Sequence, residues 1–375
     1  MSDFLVVGGG VVGMMLAREL ADSGADVTLV ERGQCGQESS WAGGGIVSPL
    51  YPWRYPASIT ALASYAQDYY PKVTQQLLEE TGIDPEFRED GLLLLGVADQ
   101  QAALDWAAVE NRPLEQVDAA FLYDKEPDVA AGFSDALWMP KVASVRTPRL
   151  AKALRASVQQ HKNIRLLEDT EVHGIYHDEG EVLGVEGKQM IFSARRTILC
   201  AGAWTGKLLE KLDVKTAIKP VCGQMIMFKA PPGLINRVVL MNGRYLIPRK
   251  DGRILVGSTL EYVGFDKRTT ADALESLRET AFQILPKLRD YEVEHHWSGL
   301  RPGSLDGIPL MGAVPNYRNL FTSAGHFRNG LVLAPAAARA MGDLLLKREP
   351  EIDLAPYSFL EESGFVEESG FSKES

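Results

Sequence analysis

Residues 4–31 read FLVVGGGVVGMMLARELADSGADVTLVE, and this stretch decides the fold. The apolar run at 4–7 ends in a glycine cluster, as a buried parallel strand does. Met14, Leu16, Ala17, Leu20 and Ala21 then share one helical face, and Ser23-Gly24 stops the helix. A second strand pattern, DVTLVE, ends at Glu31. Together these make a β-α-β unit. Gly8, Gly10 and Gly13 have G-x-G-x-x-G spacing at the strand-to-helix turn. One glycine permits the tight turn, one lets backbone approach a pyrophosphate, and one allows close helix–strand packing. The helix N-terminus offers free N–H groups and partial positive charge to phosphates. Glu31 is placed to hydrogen-bond ribose hydroxyls and would repel a 2′-phosphate. A glycine turn without a ligand is the bland alternative; strand, helix and acid in register argue against it. The fingerprint alone does not separate NAD from FAD.

Two further segments favour FAD. Ser39-Ser40-Trp41-Ala42-Gly43-Gly44-Gly45 supplies small residues and backbone donors where a long cofactor would continue. Gly325-His326-Phe327-Arg328-Asn329-Gly330-Leu331 precedes the last apolar helix. A helix start there would face the flavin pyrimidine edge, where negative charge gathers on reduction. The alternatives are a flexible loop and an ordinary helix cap.

Elsewhere, helical patterns cover about 57–81, 147–160, 271–286 and 329–347, with another around Trp106. Strand patterns include LLLLGV after Gly91, a series through 164–200, three within 219–257, EVEHHWSGLR and NLFTSAG. The expected fold is α/β: a Rossmann-like nucleotide-binding domain assembled from separated segments. An antiparallel-sheet substrate domain of α+β character is inserted into it. The expected bounds are 1–84, 142–216 and 302–360 for the first domain, and 85–141 and 217–301 for the second. Residues 361–375, acidic and rich in Ser and Gly, are expected to be disordered.

The balance of 39 Lys+Arg against 50 Asp+Glu gives a net charge of -11 among 375 residues. Such a surface repels nucleic acid and anionic membranes. Cys35, Cys200 and Cys222 are too scattered for a disulfide framework or a zinc site. The opening Met1-Ser2-Asp3 lacks a basic leader, and no apolar run reaches membrane-spanning length. A cytoplasmic protein is expected. No metal site is expected either: His295 and His296 would point to opposite faces of a strand, and His173 and His177 would lie far apart along one. Ser39, Ser40 and Ser304 lack the context of a nucleophile elbow.

Five segments carry a resemblance: VVGGGVVGMMLARELADSGADVTLVER, SSWAGGGIVSP, RRTILCAGAWT, WSGLRPGSLDGIPLMG and GHFRNGLVLAP. In their order and spacing the chain resembles the D-amino-acid oxidase/glycine oxidase family of FAD-dependent amine oxidoreductases. The resemblance spans nearly the whole chain up to about residue 360. The last two segments look closest to the glycine oxidases that serve thiamine biosynthesis.

The resemblance implies non-covalent FAD lying between two domains. It implies that Arg301 pairs with a substrate carboxylate, that Tyr245 adds a hydroxyl to it, and that Arg328 lies beside flavin and substrate. Tyr245 would equally suit a half-buried strand, and Arg328 would equally brace its loop. Cofactor-binding positions carried over are Gly8, Gly10, Val11, Val12 and Gly13, then Glu31 and Arg32. Ser39, Ser40, Ala42, Gly43 and Gly44 follow, with Val172 and with Ala201, Gly202 and Trp204. The last set is His326, Arg328, Asn329, Gly330 and Leu331, of which His326 reads as well as a polar loop residue. No residue is expected to do the chemistry, which the flavin carries.

The activity implied is oxidative deamination of glycine, sarcosine and small D-amino acids to oxoacid, ammonia and hydrogen peroxide. Oxygen is the acceptor, and the glycine imine would supply thiamine thiazole synthesis. A homo-oligomer, tetrameric by the resemblance, is implied too. The rival readings are a flavin dehydrogenase using another electron acceptor and a tRNA-modifying flavoprotein.

Overall fold

A computed structural model of the chain describes residues 1–188 and 190–359. The tail expected to be disordered lies outside the described residues. Two eight-stranded sheets organise the rest. In the first, Leu320–Ala324, Ile191–Leu199, Ser2–Val7, Val27–Val30 and Ile164–Leu167 lie side by side, all parallel. Leu310–Ala313 adds an antiparallel edge. The hairpin of Gly174–Asp178 and Glu181–Glu186 pairs onto Ile191–Leu199.

The expected β-α-β unit is present, with its helix over Val11–Asp22 and Ser23 as the C-cap. Its first strand is apolar from Phe4 to Val7, where both faces are covered. Phe4 and Val6 pack toward the helices Val11–Asp22, Ala57–Thr81, Thr147–Gln160 and Gly330–Leu346. Leu5 and Val7 pack on the other side with Ile175, Val182, Leu208 and Leu209. Burying one such side chain fully is worth about 1.5–3 kcal/mol.

The second sheet runs Val293–Gly303, Lys219–Phe228, Ile254–Gly257, Arg244–Pro248, Val238–Met241, Leu92–Leu95, Asp135–Met139 and Glu115–Asp118. Its neighbours are antiparallel with one correction to expectation: Leu92–Leu95 and Val238–Met241 pair in parallel. These strands come from different inserted stretches, so no hairpin dictates their relative direction. Every strand of the first sheet falls within 1–84, 142–216 or 302–360. Those of the second fall within 85–141 or 217–301, except that Val293–Gly303 runs on two residues further.

The helix Ala57–Thr81 packs against the last helix, Gly330–Leu346, and ties down its start. Buried Tyr70 donates its hydroxyl to the Leu331 carbonyl at 2.6 Å. Among the described residues, no helix is long and apolar enough to cross a membrane.

Candidate active site

Three adjacent parallel strands of the first sheet end at Val7, Val30 and Leu199, and a cavity of about 360 Å³ opens off these carboxyl ends. That is the crevice where an open α/β sheet takes its ligand. Tyr245 and Arg301 from the second sheet line it too, with Ser258 just beyond the end of a strand of that sheet.

The fingerprint glycines divide their work as the spacing suggests. Gly8 has φ +111°, and a Cβ there would come 2.4 Å from the Cys200 carbonyl oxygen. A Cβ on Gly13 would lie 2.0 Å from the Gly8 oxygen, so Gly13 is the helix–strand contact and does not line the cavity. Glu31 accepts from the Gly9 N–H at 2.7 Å and the Gly33 N–H at 3.0 Å, which fixes its carboxylate at the cavity wall. Ser40 accepts from the Val11 N–H at 2.9 Å and so sits on the helix N-terminus.

Gly8, Gly10, Val11, Val12, Glu31, Arg32, Ser39, Ser40, Gly43 and Gly44 all line the cavity. So do Val172, Ala201, Gly202 and Trp204, and the run His326 to Leu331. Ala42 does not; a Cβ on Gly299 would meet the Ala42 Cβ at 2.5 Å, and the Ala42 carbonyl accepts from Trp297 Nε1 at 3.0 Å. Ala42 therefore packs the glycine segment onto the second sheet. Gly44 lies against the site: an added Cβ would come 3.0 Å from Tyr245 Cε2.

At the Glu31 end, the Arg32 guanidinium lies 3.7 Å from the centre of the Trp204 ring, which meets Phe265 at 5.5 Å. Lys207, Lys211, Thr170, Glu171 and His173 also line this end and were not anticipated. The two lysines are four apart after Trp204, a spacing that would have placed both on one helical face. His173 precedes the strand Gly174–Asp178 and lines the cavity, while His177 lies within the strand and packs edge-on against Tyr317. Among the described residues, no group of three or more His, Cys, Asp or Glu is arranged to hold a metal.

At the opposite end, Arg301 donates from Nη1 to the Thr259 carbonyl at 3.1 Å and from Nη2 to the Ser258 hydroxyl at 2.6 Å. Burial draws its pKa below the ordinary arginine value; the Tyr245 hydroxyl opposes this and Arg328 reinforces it. No carboxylate among the described residues pairs with it. Gly223 is what lets the guanidinium lie where it does, because a Cβ there would fall 2.0 Å from Nη1. Arg328 is exposed at the rim, whereas His326 and Asn329 are buried.

Three residues lining the cavity carry a buried polar atom with no protein partner: Ser323 Oγ, His326 Nε2 and Asn329 Nδ2. Burial holds His326 neutral, with its pKa down at about 4. Unpaired buried polar atoms are costly, and a polar ring system offers them partners. Together with the glycine cradle at the other end, they fit a flavin dinucleotide lying lengthwise in the cavity.

Fold and cavity define a dinucleotide-dependent oxidoreductase whose reaction site lies between two sheets. A family model described as FAD dependent oxidoreductase matches residues 3–344, and the chain belongs to that family, with FAD as its cofactor. A glycine oxidase from Pseudomonas aeruginosa is 52% identical over 354 residues, 94% of this chain and 97% of the relative. The crystal structure of glycine oxidase from Geobacillus kaustophilus matches with a TM-score of 0.91 at 30% identity, covering 97% of this chain and 99% of that one. A bifunctional ThiO/ThiG protein from Trichormus variabilis is 28% identical over 95% of this chain and 54% of its own length.

Proposed function

We propose that this chain is a glycine oxidase. It converts glycine, water and oxygen to glyoxylate, ammonia and hydrogen peroxide, and takes sarcosine and small D-amino acids by the same chemistry. The observation that carries the reading is the Arg301 guanidinium, enclosed beside the cavity without a protein carboxylate. A desolvated cation is costly unless paired, and a substrate carboxylate is the partner its planar fork matches.

FAD, when bound, accepts the hydride equivalent that leaves the substrate α-carbon. The chain's own residues bind and orient. Arg301 holds the carboxylate in a bidentate grip, Tyr245 adds its hydroxyl, and the α-carbon is thereby fixed. The amine must be neutral to react, and a desolvated pocket near the cations Arg301 and Arg328 disfavours its protonated form. No side-chain base is required. The released imine then takes up water and yields oxoacid and ammonia.

Gly8, Gly10, Val11, Val12, Ser39, Ser40, Gly43 and Gly44 would hold the pyrophosphate and its flanks, with Glu31 on the ribose. Arg32, Val172, Ala201, Gly202 and Trp204 would enclose the nucleoside end. His326, Asn329, Gly330 and Leu331 would meet the ring, with Arg328 at the rim beside substrate. Ala42 and Gly13 act through packing. The sheet memberships support the division into a discontinuous FAD-binding domain of 1–84, 142–216 and 302–360 and a substrate domain of 85–141 and 217–301. The same reading carries a cytoplasmic homo-oligomer, tetrameric by resemblance, whose imine product supplies thiamine thiazole synthesis.

The test is the visible spectrum of the purified flavoprotein as glycine is added without oxygen. Bleaching of the flavin bands, with recovery and peroxide on admitting air, is expected. Flavin that stays oxidised with glycine but bleaches with D-alanine would move the substrate away from glycine. Bleaching that air fails to reverse would favour a dehydrogenase.

A further inference from the structure

Gln224 is fully buried on the strand Lys219–Phe228, next to Gly223, over which the Arg301 guanidinium lies. Alternation along a strand turns the Gln224 side chain to the face away from the cavity. There its amide is saturated. Nε2 donates to Glu261 Oε1 at 2.9 Å, to Glu261 Oε2 at 3.1 Å and to Thr270 Oγ1 at 3.2 Å. Oε1 accepts from the Thr270 N–H at 3.0 Å and from His296 Nε2 at 2.9 Å, which places the imidazole proton on that nitrogen.

The chain leaves the sheet after Gly257 and re-enters regular structure at the helix Ala271–Ile284. Gln224 ties both ends of this excursion. Its backbone N–H donates to Thr259 Oγ1 at 2.8 Å, and its carbonyl accepts from the Thr259 N–H at 3.2 Å. The Thr259 hydroxyl in turn donates to the Glu261 carboxylate. Thr259 and Ser258 are the residues that accept from the Arg301 guanidinium. A buried amide that only filled space would be replaced by leucine without loss; one that joins four groups fixes their geometry.

We propose that Gln224 is a positioning residue for Arg301: through Glu261 and Thr259 it sets where the guanidinium holds the substrate carboxylate. This rests on the reading of Arg301 as the carboxylate partner. The prediction is loss of carboxylate affinity with little loss of turnover once the site is filled.

The experiment compares FAD-loaded wild type with Gln224→Leu, Thr259→Val, Glu261→Gln and Arg301→Ala. It reads KM and kcat for glycine, the flavin content, and the Kd for glycolate from its perturbation of the flavin spectrum. Glycolate keeps the carboxylate and replaces the amine by a hydroxyl. Gln224→Leu should raise both KM and the glycolate Kd by roughly ten-fold to a hundred-fold, with kcat moving far less. Thr259→Val, which keeps the carbonyl but breaks the link, should move them the same way by less. Glu261→Gln replaces one of the two oxygens that accept from Gln224 Nε2 by an NH2 group that cannot accept, so it should also raise both constants, by less than Gln224→Leu. Flavin-loaded Gln224→Leu with wild-type KM and glycolate Kd would overturn the proposal. If Gln224→Leu fails to fold, unchanged constants in Thr259→Val would overturn it equally. If Arg301→Ala itself binds glycolate normally, the carboxylate reading of Arg301 falls instead.

Discussion

Arg249, at the end of one strand of the second sheet, reaches into the glycine segment and donates to the Gly44 carbonyl at 2.7 Å, across 205 residues of chain. Its other terminal nitrogen donates to the Val145 carbonyl at 2.9 Å. The side chain is buried, and burial lowers its pKa to about 10, so it remains charged at neutral pH. One guanidinium thus sets the loop that borders both the cofactor cavity and Tyr245.

Arg249→Leu should leave the Gly44 and Val145 carbonyls without partners while relieving a buried charge. The expected net cost is about 2–4 kcal/mol of stability, with weaker FAD retention. Urea unfolding and flavin content of the purified variant check this. A wild-type midpoint with full flavin would show that the loop holds itself.

Arg301→Ala should lower kcat/KM for glycine by on the order of 2–5 kcal/mol. Arg301→Lys should recover little, because an ammonium cannot reproduce the planar fork. Steady-state kinetics on flavin-loaded protein decide. Near-normal turnover in the alanine variant would remove Arg301 from the site.

Gly223→Ala tests the same residue without touching it. The new Cβ would begin 2.0 Å from Arg301 Nη1, so the guanidinium must move off the strand. Because misplacement of a positioning group is expensive, kcat/KM should fall by roughly ten-fold to a hundred-fold, mainly through KM. An unaltered KM would mean that the guanidinium can shift and still meet the substrate.

How far these features can be read from the chain depends on how local they are. The fingerprint turn, Glu31 and the helices Ala57–Thr81 and Thr147–Gln160 stand in the structure where periodicity puts them, because their signals lie within one or two turns of sequence. Pro71 does not end its helix. The roles of Arg249, Gly223 and Gln224 are invisible in that way. Each is defined by a partner on another strand or another segment, and nothing in VCGQM or IPRK announces the contact. The proposed roles of Arg301 and Tyr245 have no local signal either and enter from the sequence by resemblance alone. The parallel pairing of Leu92–Leu95 with Val238–Met241 joins segments more than a hundred residues apart, beyond any local pattern.

His326 carries the pH prediction. Burial lowers its pKa from 6.5 to about 4, so the folded protein refuses a proton that the unfolded chain accepts. The unfolded state therefore binds more protons between these values, and stability rises with pH across that window. Above pH 6.5 neither state is protonated at this residue, and its effect vanishes. As pH falls toward 4 the loss grows to about 3 kcal/mol, then levels off below the folded pKa. His326→Gln, which does not titrate, should flatten this part of the profile. Denaturant unfolding of both proteins at pH 7 and near pH 5 measures the difference, since other groups titrate alike in the two. If wild type and variant lose equal stability between these two conditions, His326 is not the buried neutral group described above.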